Sequence, residues 1–342
     1  MSLKTAPEAA VPTGDKPSPR PEHRQGGPLA ILHRVPHLGL LVVLVAVAVV
    51  AGTQSDAFFT DANLLNVLRQ VSVTAVIAAA LTLVMTAGGM DFSMGSNVYV
   101  ITAFAAQLIH AGTSVTVTVL ASIALAMGMG LVNGLVVTYT AVAPFVVTLA
   151  TATILDGVSL IILDGKTVSI GDSLSGLGTG ETAGLPNLTL VALVVLVLTA
   201  LLMKYTTFGR DLFAIGGNEH VARLSGISVN RDKLVLYAAA GALSGLAGIM
   251  LLSRLASSSP TPGAGLMLQL SAVAAVVIGG TSLAGGHGTV VGTVLGVVLL
   301  GVVANSLNLL QISSFYQPVS VGTVLVLAAI ANQMQKSRHG AH

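Results

Sequence analysis

The chain alternates between long, uniformly apolar runs and short stretches rich in glycine or charge. A membrane-spanning helix needs about 20 apolar residues to cross a hydrocarbon core of about 30 Å. The predicted spans are residues 37–53, 64–87, 93–111, 114–139, 143–163, 187–204, 234–253, 267–284, 288–309 and 317–334. Uniform runs, rather than short alternating segments, argue against a β-barrel. The pattern therefore predicts an all-α, polytopic helical membrane protein with about ten transmembrane helices.

Two places leave the span count open between nine and eleven. Only Ala111, Gly112 and Thr113 separate the third run from the fourth. The stretch 135–150 contains Pro144, which can end or break a helix. We therefore expect broken or re-entrant segments among the spans.

Composition excludes most soluble functions. Hydrophobic residues make up 54% of the chain and charged residues only 8%, against about 25% charged in an ordinary globular domain. The net charge is +2 without a basic, aromatic-rich patch, so nucleic-acid binding is not expected. The chain has no cysteine, which excludes disulfides and thiolate metal sites. The composition therefore indicates a protein embedded in the lipid membrane.

Lysine and arginine predict the orientation, because cytoplasmic segments carry an excess of both. Residues 1–36 form a predicted disordered basic tail, and residues 204–233 and 336–342 are also basic. Placing all three in the cytoplasm requires six spans before residue 204 and four after residue 233, which agrees with the predicted spans. The transmembrane domain is then 37–335. The acidic, glycine-rich segment 164–186 falls outside as a mobile loop.

Glycine spacing indicates where helices approach closely. Lipid offers little hydrophobic force between helices, so association depends on small residues that let backbones meet. Gly241 and Gly245 form one such pair, and Gly288, Gly292 and Gly296 form two more in register along one predicted helix face. These glycines are interpreted as packing seams.

Polar residues cluster at the interruptions between spans. The sequence GGMDFSMGS at residues 88–96 places the carboxylate of Asp91 between two long apolar runs. Such a group faces a cavity or a partner, because an unpaired carboxylate in hydrocarbon is costly. Asp91 and Ser93 fit a helix cap, and they also fit a substrate contact. The candidate substrate pathway is Asp91, Ser93, Ser96, Asn97, Asn133, Phe145 and Thr148.

Three further motifs follow in order: GLVNG at 130–134 with APFVVTL at 143–149, FGRDLFAIGGN at 208–218, and AAVVIGGTSLAGGHG at 274–288. Together with the first motif they resemble the membrane subunits of bacterial ABC importers of the ribose and xylose type, over about residues 55–335. The resemblance implies a permease in the bacterial cytoplasmic membrane with both termini cytoplasmic. It also implies three partners: a cytoplasmic ATP-binding subunit, an extracytoplasmic sugar-binding protein and a second permease copy or homologue.

The sequence itself agrees with a membrane subunit that works with a separate ATP-binding subunit. No GxxxxGK[ST] phosphate loop occurs in the chain, so ATP hydrolysis is expected on the separate subunit and no cofactor is expected on this one. The basic segment resembles the coupling helix that docks on the ATPase, although His220 occupies the place where the family has an acid. The predicted coupling residues are Arg210, Glu219, His220, Ala222, Arg223 and Gly226.

Several alternatives stay open. Gln269 and Ser271 stand where many sugar permeases carry an acid, and Asp156 stands where many carry a basic residue, so only a sugar-like polyol is predicted as substrate. Asp156 either faces the pathway or pairs internally. A nucleoside or branched-chain amino acid permease is the alternative within the class. An ion-coupled secondary transporter would need more buried acids. The histidines lack a second ligand at helical spacing, so no metal site is predicted.

Overall fold

A computed structural model of the chain describes residues 37–313 except 141, together with 316, 318, 319, 322, 323 and 326. The predicted tails at 1–36 and 336–342 lie outside these residues. The tenth predicted span, 317–334, lies almost entirely outside them.

The described residues form twelve helices and four two-residue strands. The helices are α1 (Leu38–Gln54), α2 (Asp61–Thr86), α3 (Met94–His110), α4 (Val115–Tyr139), α5 (Pro144–Leu163), α6 (Ser175–Gly178), α7 (Asn187–Tyr205), α8 (Thr207–Gly217), α9 (Glu219–Leu224), α10 (Val229–Leu255), α11 (Ala264–Ile278) and α12 (Val290–Leu309). The strands are β1 (Val168–Ser169), β2 (Glu181–Thr182), β3 (Leu185–Pro186) and β4 (Ser257–Ser258).

Each of the first nine predicted spans coincides with a helix, which confirms the all-α membrane fold. Six helices of the described part are long and apolar enough to cross a membrane: α2, α4, α5, α7, α10 and α12. Helices α1, α3 and α11 have 17, 17 and 15 residues. The count of ten is therefore not confirmed.

The largest boundary error concerns α11, which ends at Ile278 rather than at residue 284. Gly280 adopts φ 89°, and the Thr281 N–H donates to the Val276 carbonyl at 3.1 Å. A glycine in this left-handed conformation closes a helix. The apolar residues that follow lie in a glycine-rich turn rather than in another helical turn.

Helix α2 lies at the centre of the packing. Its second half is buried all round, with Val76, Ile77 and Ala78 fully inaccessible to solvent. A helix that is apolar on every face needs neighbours on every face, and α7, α10, α11 and α12 supply them. By contrast, α4, α5 and α7 expose rows of valine and leucine. These three helices face lipid or another chain.

Two helix pairs meet through glycine, as the spacing predicts. A Cβ on Gly241 would lie 3.0 Å from the Cα of Gly130, so α10 and α4 touch backbone to backbone. Gly292 of α12 meets Gly279 in the same way, at the end of α11. The prediction is wrong only for Gly288, which precedes α12 and lies in the turn rather than on the helix.

The acidic segment 164–186, predicted as a mobile loop, contains regular structure. Strand β1 pairs antiparallel with β4, with Val168 opposite Ser258. Strands β2 and β3 form a second small sheet. Arg69 of α2 forms an ion pair with Glu181 at 2.6 Å. The loop is thus tied to both α2 and the segment after α10.

Candidate functional site

The break between α2 and α3 is built from glycine and one buried carboxylate. Gly88 adopts φ 77°, and the Gly89 N–H donates a hydrogen bond to the Val84 carbonyl at 3.0 Å. These two features end α2. Asp91 is 2% exposed. Its Oδ1 accepts hydrogen bonds from the Ser93 N–H at 2.8 Å and from Ser93 Oγ at 2.6 Å. Asp91 therefore bonds to Ser93, the N-cap residue of α3, whereas the Ser93 side chain itself makes no capping hydrogen bond.

Two further helices join this carboxylate through hydrogen bonds. Asn133 Nδ2 of α4 donates to Ser93 Oγ at 2.8 Å. Thr151 Oγ1 of α5 donates to Asn133 Oδ1 at 2.7 Å. A continuous chain of hydrogen bonds thus connects Asp91 to α5, and each link satisfies a polar group that would be costly to bury alone.

Two more side chains hold the backbone of the break. The Phe92 N–H donates to Thr148 Oγ1 of α5 at 3.1 Å. Gln269 of α11 is fully buried; its Nε2 donates to the Asp91 carbonyl at 2.6 Å, and its Oε1 accepts from the Gly95 N–H at 3.0 Å. We call the connected side chains the break network: Asp91, Ser93, Asn133, Thr148, Thr151 and Gln269.

The space beside the break network is small. A cavity of about 10 Å³ borders Asp91 and Phe92, whereas pockets for small molecules hold about 300–1,000 Å³. Phe145 lies at the edge of this region, 48% exposed, with its ring centroid 6.4 Å from that of Phe92 in an edge-to-face arrangement. The cavity at Asp91 is therefore too small to hold a sugar.

Two predicted pathway residues, Ser96 and Asn97, lie away from this group. Asn97 Nδ2 donates to Ser244 Oγ of α10 at 2.8 Å and to the Ala126 carbonyl of α4 at 3.3 Å. A Cβ on Gly265 would lie 2.6 Å from the Cα of Ser96, so this serine marks a close crossing of α3 and α11. Both residues serve helix packing in this conformation.

The segment between α7 and α10 forms a separate polar surface. Asn218 caps α9, with its side chain accepting from the Val221 N–H at 3.1 Å. Glu219 pairs with Arg223 at 2.9 Å and with Lys233 of α10 at 2.6 Å. Partial burial pushes the pKa of the Glu219 carboxyl up, but the hydrogen bonds and charges of Lys233 and Arg223 outweigh it and lower that pKa. The ion pairs hold α9 against α10.

The two faces of α9 differ. Ala222 is 3% exposed and packs with Ile215 and Val229, so it points into the protein. Val221 and Leu224 are 54% and 76% exposed. The other predicted coupling residues lie on this surface: Arg210 and His220 are exposed, and Gly226 turns the chain with φ 85° after α9.

Comparison with known proteins decides the family. The protein-family model described as "branched-chain amino acid transport system / permease component" matches residues 63–330. The ribose import permease protein RbsC of Escherichia coli is 39% identical over 302 residues, covering 87% of this chain and 93% of the relative. RbsC of Bacillus subtilis is 39% identical over 305 residues, covering 88% and 93%.

The L-arabinose transport system permease protein AraH of Escherichia coli is 35% identical over 299 residues, covering 87% of this chain and 90% of the relative. No solved structure matches the chain. The chain belongs to this family of ABC-importer permeases. The resemblance drawn from the four motifs is confirmed. As a permease, the chain is a multi-pass membrane transport subunit rather than an enzyme.

The permease brings together four of the seven predicted pathway residues in one hydrogen-bonded network: Asp91, Ser93, Asn133 and Thr148. The sequence reasoning missed Thr151 and Gln269 as members of this network. Thr151 had a usable signal, because it lies 3 residues after Thr148 on the same face of α5. In the sequence Gln269 is only a departure from the family pattern, and its two bonds to the break cannot be read from the chain.

Asp156 makes one direct contact inside the protein. Its Oδ2 accepts a hydrogen bond from the Gly263 N–H at 2.9 Å, just before α11. This contact is an internal pairing, and a pathway-facing role for the partly exposed carboxylate stays a prediction. Within the described residues, no group of three or more histidine, cysteine or acidic side chains could hold a metal ion.

Proposed function

We propose that this permease moves a monosaccharide or sugar-like polyol across the bacterial cytoplasmic membrane as part of a binding-protein-dependent ABC importer. The observation that carries the proposal is the 39% identity over 87% of the chain to a protein named as a ribose import permease. The similarity to an arabinose transport permease supports the same substrate class. The family description names branched-chain amino acids, so an amino acid is the alternative substrate.

The chemistry of the buried groups favours a neutral substrate. Among the described residues, Asp91 is the only buried aspartate, glutamate, lysine, arginine or histidine. A zwitterionic amino acid needs partners for both a carboxylate and an ammonium group, because buried charges must be paired. A sugar needs donors and acceptors for its hydroxyls, and the amide and hydroxyl groups of the break network supply both. A single buried acid also argues against an ion-coupled secondary transporter.

The cavity at Asp91 is too small for a sugar, which supports a pathway at the α5 surface. Thr148 and Thr151 belong to α5, whose opposite face is exposed. Phe145 offers its ring to the C–H face of a sugar at this surface. We propose that a second permease copy or homologue covers α5, so that the substrate passes between the two subunits.

The cytoplasmic partner is proposed to dock on α9. Val221 and Leu224 form its exposed apolar side, with His220, Arg223 and Arg210 around them. A short helix with an apolar, charged-rimmed face is suited to a groove in another protein. With the ATPase on this side, residues 1–36 and 336–342 are cytoplasmic tails and ATP binds only to the partner subunit.

The deciding experiment is uptake into proteoliposomes that contain the permease, its ATPase and its binding protein. We expect ATP-dependent accumulation of a labelled pentose such as ribose, arabinose or xylose, and no accumulation of leucine or a nucleoside. Accumulation of leucine instead would reject the substrate class. Accumulation driven by an ion gradient without the ATPase would reject the importer mechanism.

A further inference from the structure

Three separate segments of the permease meet backbone to backbone beside the break. They are the end of α2, the end of α8 and the glycine-rich turn between α11 and α12. The contact residues are Gly88, Gly216, Gly285 and Gly286, which we call the glycine junction.

No side chain fits between these segments. A Cβ on Gly216 would strike the Thr86 carbonyl oxygen and lie 2.6 Å from the Gly286 nitrogen. A Cβ on Gly285 would lie 2.7 Å from the Cα of Gly88 and 2.7 Å from the Gly216 oxygen. The Gly286 N–H donates to the Thr86 carbonyl at 2.9 Å, which ties the turn to the last residue of α2.

Contacts between packed backbones transmit the movement of one segment to the next. A contact between side chains can relax by changing rotamer, whereas packed backbones must move together or separate. Gly285 and Gly286 also have φ of 85° and 73°, a conformation that other residues rarely adopt. The junction therefore depends on glycine both for the space and for the turn.

The glycine junction lies close in sequence to both α9 and the break network. Gly216 lies two residues before Asn218, which caps α9, the proposed docking helix. Gly88 lies three residues before Asp91, the centre of the break network. The junction is thus the short physical path between the cytoplasmic surface and the hydrogen bonds that hold the break.

We propose that the glycine junction transmits movement of α9 to the break network, so that Gly216 is a positioning residue for transport. The inference rests on the proposed function, because it requires that an ATPase moves α9. Docking or release of that subunit shifts the end of α8, which pushes the end of α2 and the turn before α12 as one unit. The break network then opens or closes through Gly88.

The test compares Gly216→Ala with Gly217→Ala in the full complex of permease, ATPase and binding protein. The Gly217 variant is a matched control, because a Cβ there meets nothing within 4 Å. Gly216→Ala must separate α8 from α2. We expect the complex to assemble and hydrolyse ATP, while the amount of sugar imported per ATP falls about tenfold, in the range known for residues that carry coupling.

The ratio of import to hydrolysis separates transmission from simple packing. A packing role would lower the amount of assembled complex and leave the ratio for the remaining complex unchanged, and that result would overturn the proposal. Wild-type uptake of sugar tests the proposed function on its own. Absence of wild-type uptake would therefore reject that function, whereas a normal ratio in Gly216→Ala rejects only the junction.

A second measurement covers the case in which Gly216→Ala does not fold. Cysteines at Gly217 and His287, both exposed, flank the junction on α8 and on the glycine-rich turn, and the chain has no cysteine of its own. A short reducible crosslink between them would hold α8 against the turn. Because the proposal has α8 and the turn move as one unit, we expect import to continue when the crosslink is formed. Loss of import on crosslinking, with its return on reduction, would mean that the two segments must slide or separate during transport, and it would overturn the proposal.

Discussion

Gln269 is predicted to hold the break between α2 and α3 in place, and Gln269→Leu tests this. Leucine has a similar size but leaves the Asp91 carbonyl and the Gly95 N–H without their partner. Each buried backbone group that loses its hydrogen bond costs about 1–3 kcal/mol, so the upper range is about 2–6 kcal/mol. Hydrogen bonds measured between membrane helices average about 0.6 kcal/mol, which sets a lower limit of about 1 kcal/mol for the two.

The measurement is reversible unfolding in mixed micelles of increasing SDS content. Loss of helix is followed by circular dichroism, because the chain has no tryptophan. Ser271→Leu is the control on the same helix, since the Ser271 hydroxyl donates to the Met267 carbonyl within α11. Equal stability of the two variants would refute the reasoning, because it would mean that the Gln269 bonds contribute nothing beyond those of a surface serine.

Three other changes have expected outcomes. Asn133→Leu breaks the link between Ser93 and α5, and it should lower the rate of uptake more than the apparent affinity in the proteoliposome assay. Lowering the pH should loosen the packing of α9 on α10. Because the pKa of the Glu219 carboxyl is lowered, its ion pairs stabilise the fold fully at a pH above the ordinary pKa of 4.5. This stabilisation is lost as the pH falls through the lowered pKa. The loss is at most about 1 kcal/mol for such exposed pairs, and hydrogen exchange of the α9 amides reports it. Gly130→Leu should separate α4 from α10 and cost about 1–3 kcal/mol by overpacking.

Each of these three predictions has a control variant or an outcome that would contradict it. Thr53→Leu alters an exposed position on α1 and should leave uptake unchanged. Glu219→Gln should remove the acid sensitivity of α9, and persistence of that sensitivity would assign it to another group. Gly128→Leu is the control for Gly130, because a Cβ at Gly128 meets nothing within 4 Å; equal losses at both positions would contradict the packing argument.

The sequence predicts the helices well because lipid imposes one simple rule on length and polarity. The ends of α3, α4 and α5 fall within one residue of the predicted runs. The rule fails at Ile278, where apolar residues continue past a glycine that ends the helix. It also gives no information about the segment 164–186, whose small strands depend on pairing with residues far along the chain.

The candidate site is harder to predict, because a polar residue at a break has several possible partners. Asp91 and Ser93 stand at an interruption, Asn133 lies within α4, and the three side chains converge. Asn97 has the same character but bonds to Ser244 on a helix that the sequence cannot place beside it. Gln269 sits in the middle of an apolar run, and only the fold shows that it reaches the break.

The close crossing of α4 and α10 also constrains how the permease is made. α4 leaves the ribosome roughly ninety residues before α10 begins, so Gly130 and Ala126 enter the bilayer long before Gly241 exists. Helices insert first and assemble afterwards, and until then this small-residue face lies against lipid. A nascent chain that stops short of Val229 keeps that face unpaired. Synthesis of α10 is thus a condition for pairing of this face of α4.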